Sequence, residues 1–129
     1  FDKIASTQPR SVTVFLDTCY SGSSRNEEVL LAQRGIVIVP IKQSIPSNFT
    51  VFSAAGMKQT AKMLDDAKHG LFSYYLMKGM EGEADQNNDN LITTGELHSY
   101  VQSNVMKHSL GSQTPELHGD HNKVLLIQY

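Results

Sequence analysis

The chain has no tryptophan, a single cysteine and no long apolar run. One cysteine forms no internal disulfide, so the fold does not rest on an oxidising compartment and is compatible with the cytosol. The longest apolar stretches, such as Gly35 to Ile41, fall far short of the roughly 20 residues that a membrane-spanning helix needs. Charge of one sign is also lacking. Eleven basic side chains face 13 acidic ones, for a formal net charge of −2, which leaves no global footprint for nucleic acid or an anionic membrane. No internal repeat, low-complexity tract or signal peptide is visible, and the chain starts at Phe1 rather than Met, so an upstream part is expected to have been removed or left out. What is present is an ordinary globular composition. The 129 residues are 40% hydrophobic and 19% charged, enough to bury a core and to form one domain, or most of one.

Strand and helix patterns alternate along the chain. Residues 11–17, Ser-Val-Thr-Val-Phe-Leu-Asp, read as a buried strand, and residues 18–25 as a small, polar loop. Glu27 to Arg34 suits a short helix, Ile36 to Val39 a second buried strand, and Phe49 to Ala54 a third, followed by a polar connection over Gly56 to Lys68. Leu71 to Met80 reads as a helix ended by Gly79 and Gly82. A second helix is expected from Thr94 to about Lys107, with Glu96 in its first turn and Leu97, Tyr100, Val101, Val105 and Met106 near helical spacing. Gly111 to Asn122 reads as a loop, and Lys123 to Gln128 as a last strand that offers an edge for pairing. Strands alternating with helices argue for a layered α/β sheet.

The cysteine, Cys19, falls just past the first strand, in a Gly/Ser loop. In open α/β sheets ligands bind in the crevice at the carboxyl ends of the strands, so a thiol there meets substrate while the sheet anchors it. The plainer reading is a buried, inert thiol. Two chemistries fit the surrounding letters. Cys19, Gly22 and Arg25 have the Cys-x-x-Gly-x-x-Arg spacing of a tyrosine-phosphatase phosphate loop. Asp17, Cys19, Ser21 and Gly22 make Asp-x-Cys-x-Ser-Gly, which resembles the nucleophile motif of caspase-like cysteine peptidases, especially the metacaspase branch. Asp17 weighs against the phosphatase, because a carboxylate two residues before the thiol repels a phosphate dianion. A peptidase that cuts after Arg or Lys, by contrast, wants a carboxylate at the base of its specificity pocket.

The peptidase resemblance extends over the rest of the chain. Val51-Phe52-Ser53-Ala54-Ala55, His69-Gly70-Leu71-Phe72-Ser73, the segments from Glu83 to Asp85 and from Gly95 to Leu97, and Gln113-Thr114-Pro115 are similar to bacterial caspase-like domains, from about Ser11 to Ile127. The phosphatase similarity stops at Arg25. The resemblance implies a three-layer α/β/α caspase-like sheet over residues 1–129 and a cysteine endopeptidase acting on a protein or peptide substrate, with no cofactor needed for the chemistry. It implies that Cys19 attacks as the nucleophile, that its backbone N–H serves the oxyanion hole, and that Asp17 accepts a substrate Arg or Lys. It also implies a catalytic His some 50 residues upstream of the cysteine. Only 18 residues precede Cys19 and none is His; the five histidines, His69, His98, His108, His118 and His121, all follow it. The base is therefore expected from a missing N-terminal segment or another chain, and His69 reads as structural. Arg25, Arg34 and Lys42 are candidate self-cleavage points or, more plainly, surface charges. The rival readings are an inactive caspase-like scaffold or signalling module, a Cys-dependent phosphatase, and a calcium-binding module in which Cys19 is incidental.

A second motif lies within the domain. Asp85 to Glu96 has the spacing of an EF-hand loop: Asp85, Asn87, Asp89 and Glu96 fall at the first, third, fifth and twelfth positions, Leu91 offers a backbone carbonyl, and Ile92 is the apolar anchor. This is the oxygen shell that calcium takes. Asn90 stands where glycine is expected, although Asn tolerates a left-handed backbone. The plainer reading is an Asx-rich turn that caps the next helix.

Overall fold

The computed structural model describes residues 2–17, 45–54 and 70–128. The expected helix over 27–34, the strand over 36–39 and the connection over 56–68 lie outside the described residues, as do Cys19, Ser21, Gly22, Arg25, Arg34, Lys42 and His69.

A short helix α1 (Asp2–Ala5) leads to strand β1 (Val12–Leu16). β1 runs parallel to β2 (Phe49–Ser53), with Val12 opposite Phe49 and Leu16 opposite Ser53. Residues 49–52 are all aromatic or β-branched, which suits a pleated, enclosed surface. Phe49, Thr50, Val51 and Phe52 are all buried. Successive side chains point to opposite faces, so both faces of β2 are covered, as a layered α/β sheet requires of a central strand.

β4 (Glu116–His118) adds to β2 on its other side, antiparallel, giving the order β1-β2-β4 and a mixed sheet. This strand corrects the loop expected over residues 111–122. It is three residues long and contains no β-branched side chain, so pairing with β2 rather than local propensity makes it a strand.

Helix α2 (Leu71–Lys78) buries Leu71, Phe72 and Leu76. Past Lys78 the backbone widens into a π-type turn over Gly79–Glu83, in which Gly82 takes φ 128. The helical path therefore runs past Met80 to Gly82, one of the two glycines expected to end it, whose φ only glycine adopts without strain. Strand β3 (Leu91–Thr93) then feeds helix α3 (Thr94–His108). Thr94, Leu97, Val101 and Val105 are buried along one stripe of α3, at the spacing of a single helix face. With Phe52, Ala54, Leu71, Phe72, Leu76, Ala84 and Ile92, the apolar members of that stripe form one core cluster, so the two helices cover the Phe52 face of the sheet. The last strand, β5 (Val124–Ile127), pairs antiparallel with β3 in a separate two-stranded sheet.

Buried Gln113 ties these layers together. Its Nε2 donates to the Ala54 carbonyl at 2.7 Å, at the carboxyl end of β2. The neighbouring Pro115 carbonyl accepts from Gln102 Nε2 at 2.9 Å and from His98 Nε2 at 3.2 Å, both on α3. No described helix is long and apolar enough to cross a membrane.

Candidate active site at the carboxyl end of the first strand

β1 is the outer strand of the described sheet and is less enclosed than β2: Phe15 is 37% exposed, against 1% for Phe52. These two residues are register partners with ring centroids 5.0 Å apart. Asp17 follows β1 directly and, two residues after Phe15, continues the same face of the strand. This face carries α2.

The first turn of α2 receives Asp17. The Ser73 hydroxyl donates to Asp17 Oδ2 at 2.5 Å. Gly70, the residue that opens α2, provides no side-chain cap. A Cβ placed on Gly70 would lie 2.7 Å from Asp17 Oδ2 and 3.3 Å from Oδ1. The carboxylate thus occupies space that any other residue at position 70 would fill. The amide groups of a first helical turn lack intrahelical acceptors and carry a partial positive charge, so a carboxylate there is stabilised. Asp17 nevertheless remains exposed to solvent, and an ionised carboxylate offers about four lone-pair sites, of which Ser73 takes one.

Among the candidate residues, Asp17 is in place at the carboxyl end of a parallel strand, and Cys19 lies outside the described residues. Reading the sequence overlooked Gly70 and Ser73 as neighbours of Asp17. The available signal was Ser73 itself, a hydroxyl within the His69-Gly70-Leu71-Phe72-Ser73 segment at the entry of α2.

The loop from Asp85 to Glu96 forms a second candidate site. Asp85 accepts from the backbone N–H groups of Asp89 at 3.3 Å and Asn90 at 3.0 Å. Asn87 Oδ1 also accepts from Asp89 N–H, and Asp89 Oδ1 accepts from Leu91 N–H. Asn90 adopts φ 63, the left-handed conformation for which glycine was expected, and Ile92 is fully buried. The side chains of Asp85, Asn87 and Asp89 therefore converge on one turn, which Leu91 meets through its backbone N–H. Glu96 faces back toward its own helix: Thr93 and Glu96 form a capping box, with Glu96 N–H donating to Thr93 Oγ1 at 3.2 Å and Thr93 N–H donating to Glu96 Oε2 at 3.0 Å. Among the described residues no group of three His, Cys, Asp or Glu side chains is arranged to hold a metal ion.

Histidine and tyrosine side chains elsewhere are engaged structurally. Burial lowers the pKa of His98 below its ordinary value, against a smaller raising effect from its hydrogen bond to the Pro115 carbonyl. Burial also raises the pKa of Tyr100, whose hydroxyl donates to Glu83.

The mixed α/β sheet holds an exposed carboxylate where a parallel strand ends, and in open α/β sheets ligands bind in the crevice at the carboxyl ends of the strands. The caspase-domain family model matches residues 1–126, and the chain belongs to that family of cysteine peptidases. No curated protein and no solved structure matches the chain.

Proposed function

We propose that the chain is the nucleophile-bearing part of a cysteine endopeptidase that cuts after Arg or Lys, with Cys19 as nucleophile and Asp17 as acceptor of the substrate's basic side chain. The observation that carries this reading is the exposed Asp17 carboxylate, fixed at the end of β1 two residues before Cys19, in a chain of the caspase-domain family. The Cys19 thiolate adds to the scissile carbonyl carbon, the C–N bond breaks, and the amine leaves with a proton supplied by a histidine. Water then hydrolyses the thioester. A guanidinium or ammonium group beside Asp17 forms a charge-assisted hydrogen bond, whereas a substrate Asp would meet a like charge.

The histidine comes from a segment or chain outside these 129 residues. The family match continues far beyond Arg25, where the phosphatase spacing ends. The Asp85–Glu96 loop is proposed as a calcium site that tunes the domain, supported by the convergence of Asp85, Asn87 and Asp89 and by the left-handed Asn90. Asp85, Asn87 and Asp89 would hold such an ion, and Glu96 would have to leave its capping box to serve as the twelfth-position ligand.

The test is an assay of the full-length protein on fluorogenic peptides ending in Arg, Lys or Asp. Turnover after Arg and Lys that vanishes in Cys19→Ala is the expected result. Absence of turnover on all three peptides replaces the peptidase with a caspase-like scaffold.

A further inference from the structure

Resting on the reading of Asp17 as the acceptor for a basic side chain, we infer that Ser73 and Gly70 are positioning residues that set the specificity carboxylate before substrate arrives. Asp17 is exposed, and an exposed carboxylate at the end of an outer strand samples several rotamers. Holding it in one of them on substrate binding costs conformational entropy that a preorganised site has already lost. Ser73 removes much of that freedom. Its hydroxyl donates to Oδ2 at 2.5 Å across 56 residues of sequence, and it sits on the first turn of an eight-residue helix anchored by buried Leu71, Phe72 and Leu76.

Gly70 acts by what it lacks. A Cβ at this position falls 2.7 Å from Oδ2, so any side chain displaces the carboxylate from the helix terminus. Ser73 therefore pulls the carboxylate to one place and Gly70 leaves that place open. Ser73 takes one acceptor site of Oδ2, and the exposed carboxylate keeps others for a guanidinium or ammonium group. Both residues act on the Asp17 carboxylate, so their effect is expected on substrate affinity rather than on the chemical step.

The experiment compares the full-length protein with Ser73→Ala, Ser73→Thr, Gly70→Ala and Asp17→Asn, each alone, and with the Ser73→Ala/Asp17→Asn double variant. Substrates are peptides with Arg or with a neutral residue before the cut. Ser73→Ala is expected to raise KM for the Arg peptide about tenfold with kcat within about twofold, the signature of lost binding rather than lost chemistry. Ser73→Thr, which keeps the hydroxyl, is expected to restore KM. Gly70→Ala is expected to raise KM in the same direction with the hydroxyl intact. In the Asp17→Asn background, Ser73→Ala is expected to add nothing, because the two act as one unit. An unchanged KM in Ser73→Ala, beside a large loss in Asp17→Asn, overturns the positioning role and leaves the Asp17 reading standing. Unchanged cleavage after Arg in Asp17→Asn overturns both. Equal losses on Arg and neutral peptides, with a lowered thermal midpoint, make Ser73 merely structural and also overturn the inference.

Discussion

The two main helices begin in opposite ways. α3 caps itself: Thr93 and Glu96 exchange hydrogen bonds within one turn, and the first amides of the helix have a local partner. α2 opens at Gly70 with no side-chain cap, and its first turn instead receives Asp17 from a strand 56 residues earlier. A self-capped helix end is stabilised locally and needs nothing from the rest of the fold. An end served from a distance couples two elements, and here it couples the α2 scaffold to the acidic residue just ahead of Cys19. The comparison separates a helix end capped within itself from one whose first turn contacts the proposed specificity carboxylate.

The comparison breaks most visibly at Asp17. Asp17→Asn keeps shape and removes charge, and it is expected to lower kcat/KM on Arg peptides by about 100-fold, as for a lost hydrogen bond to a charged group. Steady-state kinetics on Arg and neutral peptides measures this. Thr93→Ala tests the other helix. It should destabilise the domain by about 1 kcal/mol in denaturant titrations, with specificity for Arg unaltered.

Calcium sharpens the contrast further. Added calcium is expected to raise the thermal midpoint of the full-length protein, chelation to reverse the rise, and Asp85→Ala to abolish it. No shift in the parent protein would return the loop to an Asx-rich turn.

The smallest expected effect concerns His98. Its folded pKa lies below the unfolded value of about 6.5, so the unfolded chain binds the proton more readily. Stability from this group is present above that value and is lost as pH falls toward the folded pKa. Replacement by Gln, which keeps an N–H donor near the Pro115 carbonyl, should flatten that slope in a pH series of denaturant titrations.

Much of this was legible in the letters because the signals are local. The start of α3 near Thr94 with Glu96 in its first turn, its buried stripe, the aromatic and β-branched residues of β2, and the Asx spacing over residues 85–96 each lie within a single element or loop. β4 was not legible, since Glu116–His118 becomes a strand only against β2. The contact of Ser73 with Asp17 was not legible either. It spans two elements that the fold alone brings together, and the absence of a side chain at Gly70 shows its purpose only once the carboxylate is seen beside it.

The most direct test of the central claim is a specificity profile of the full-length protein against peptides varied at the residue before the cut, run for the parent and for Asp17→Asn. The account predicts that the parent cuts after Arg and Lys and that Asp17→Asn loses this preference while keeping its thermal midpoint. A parent that cuts after Asp, or an Asp17→Asn variant with an unaltered profile, would contradict it.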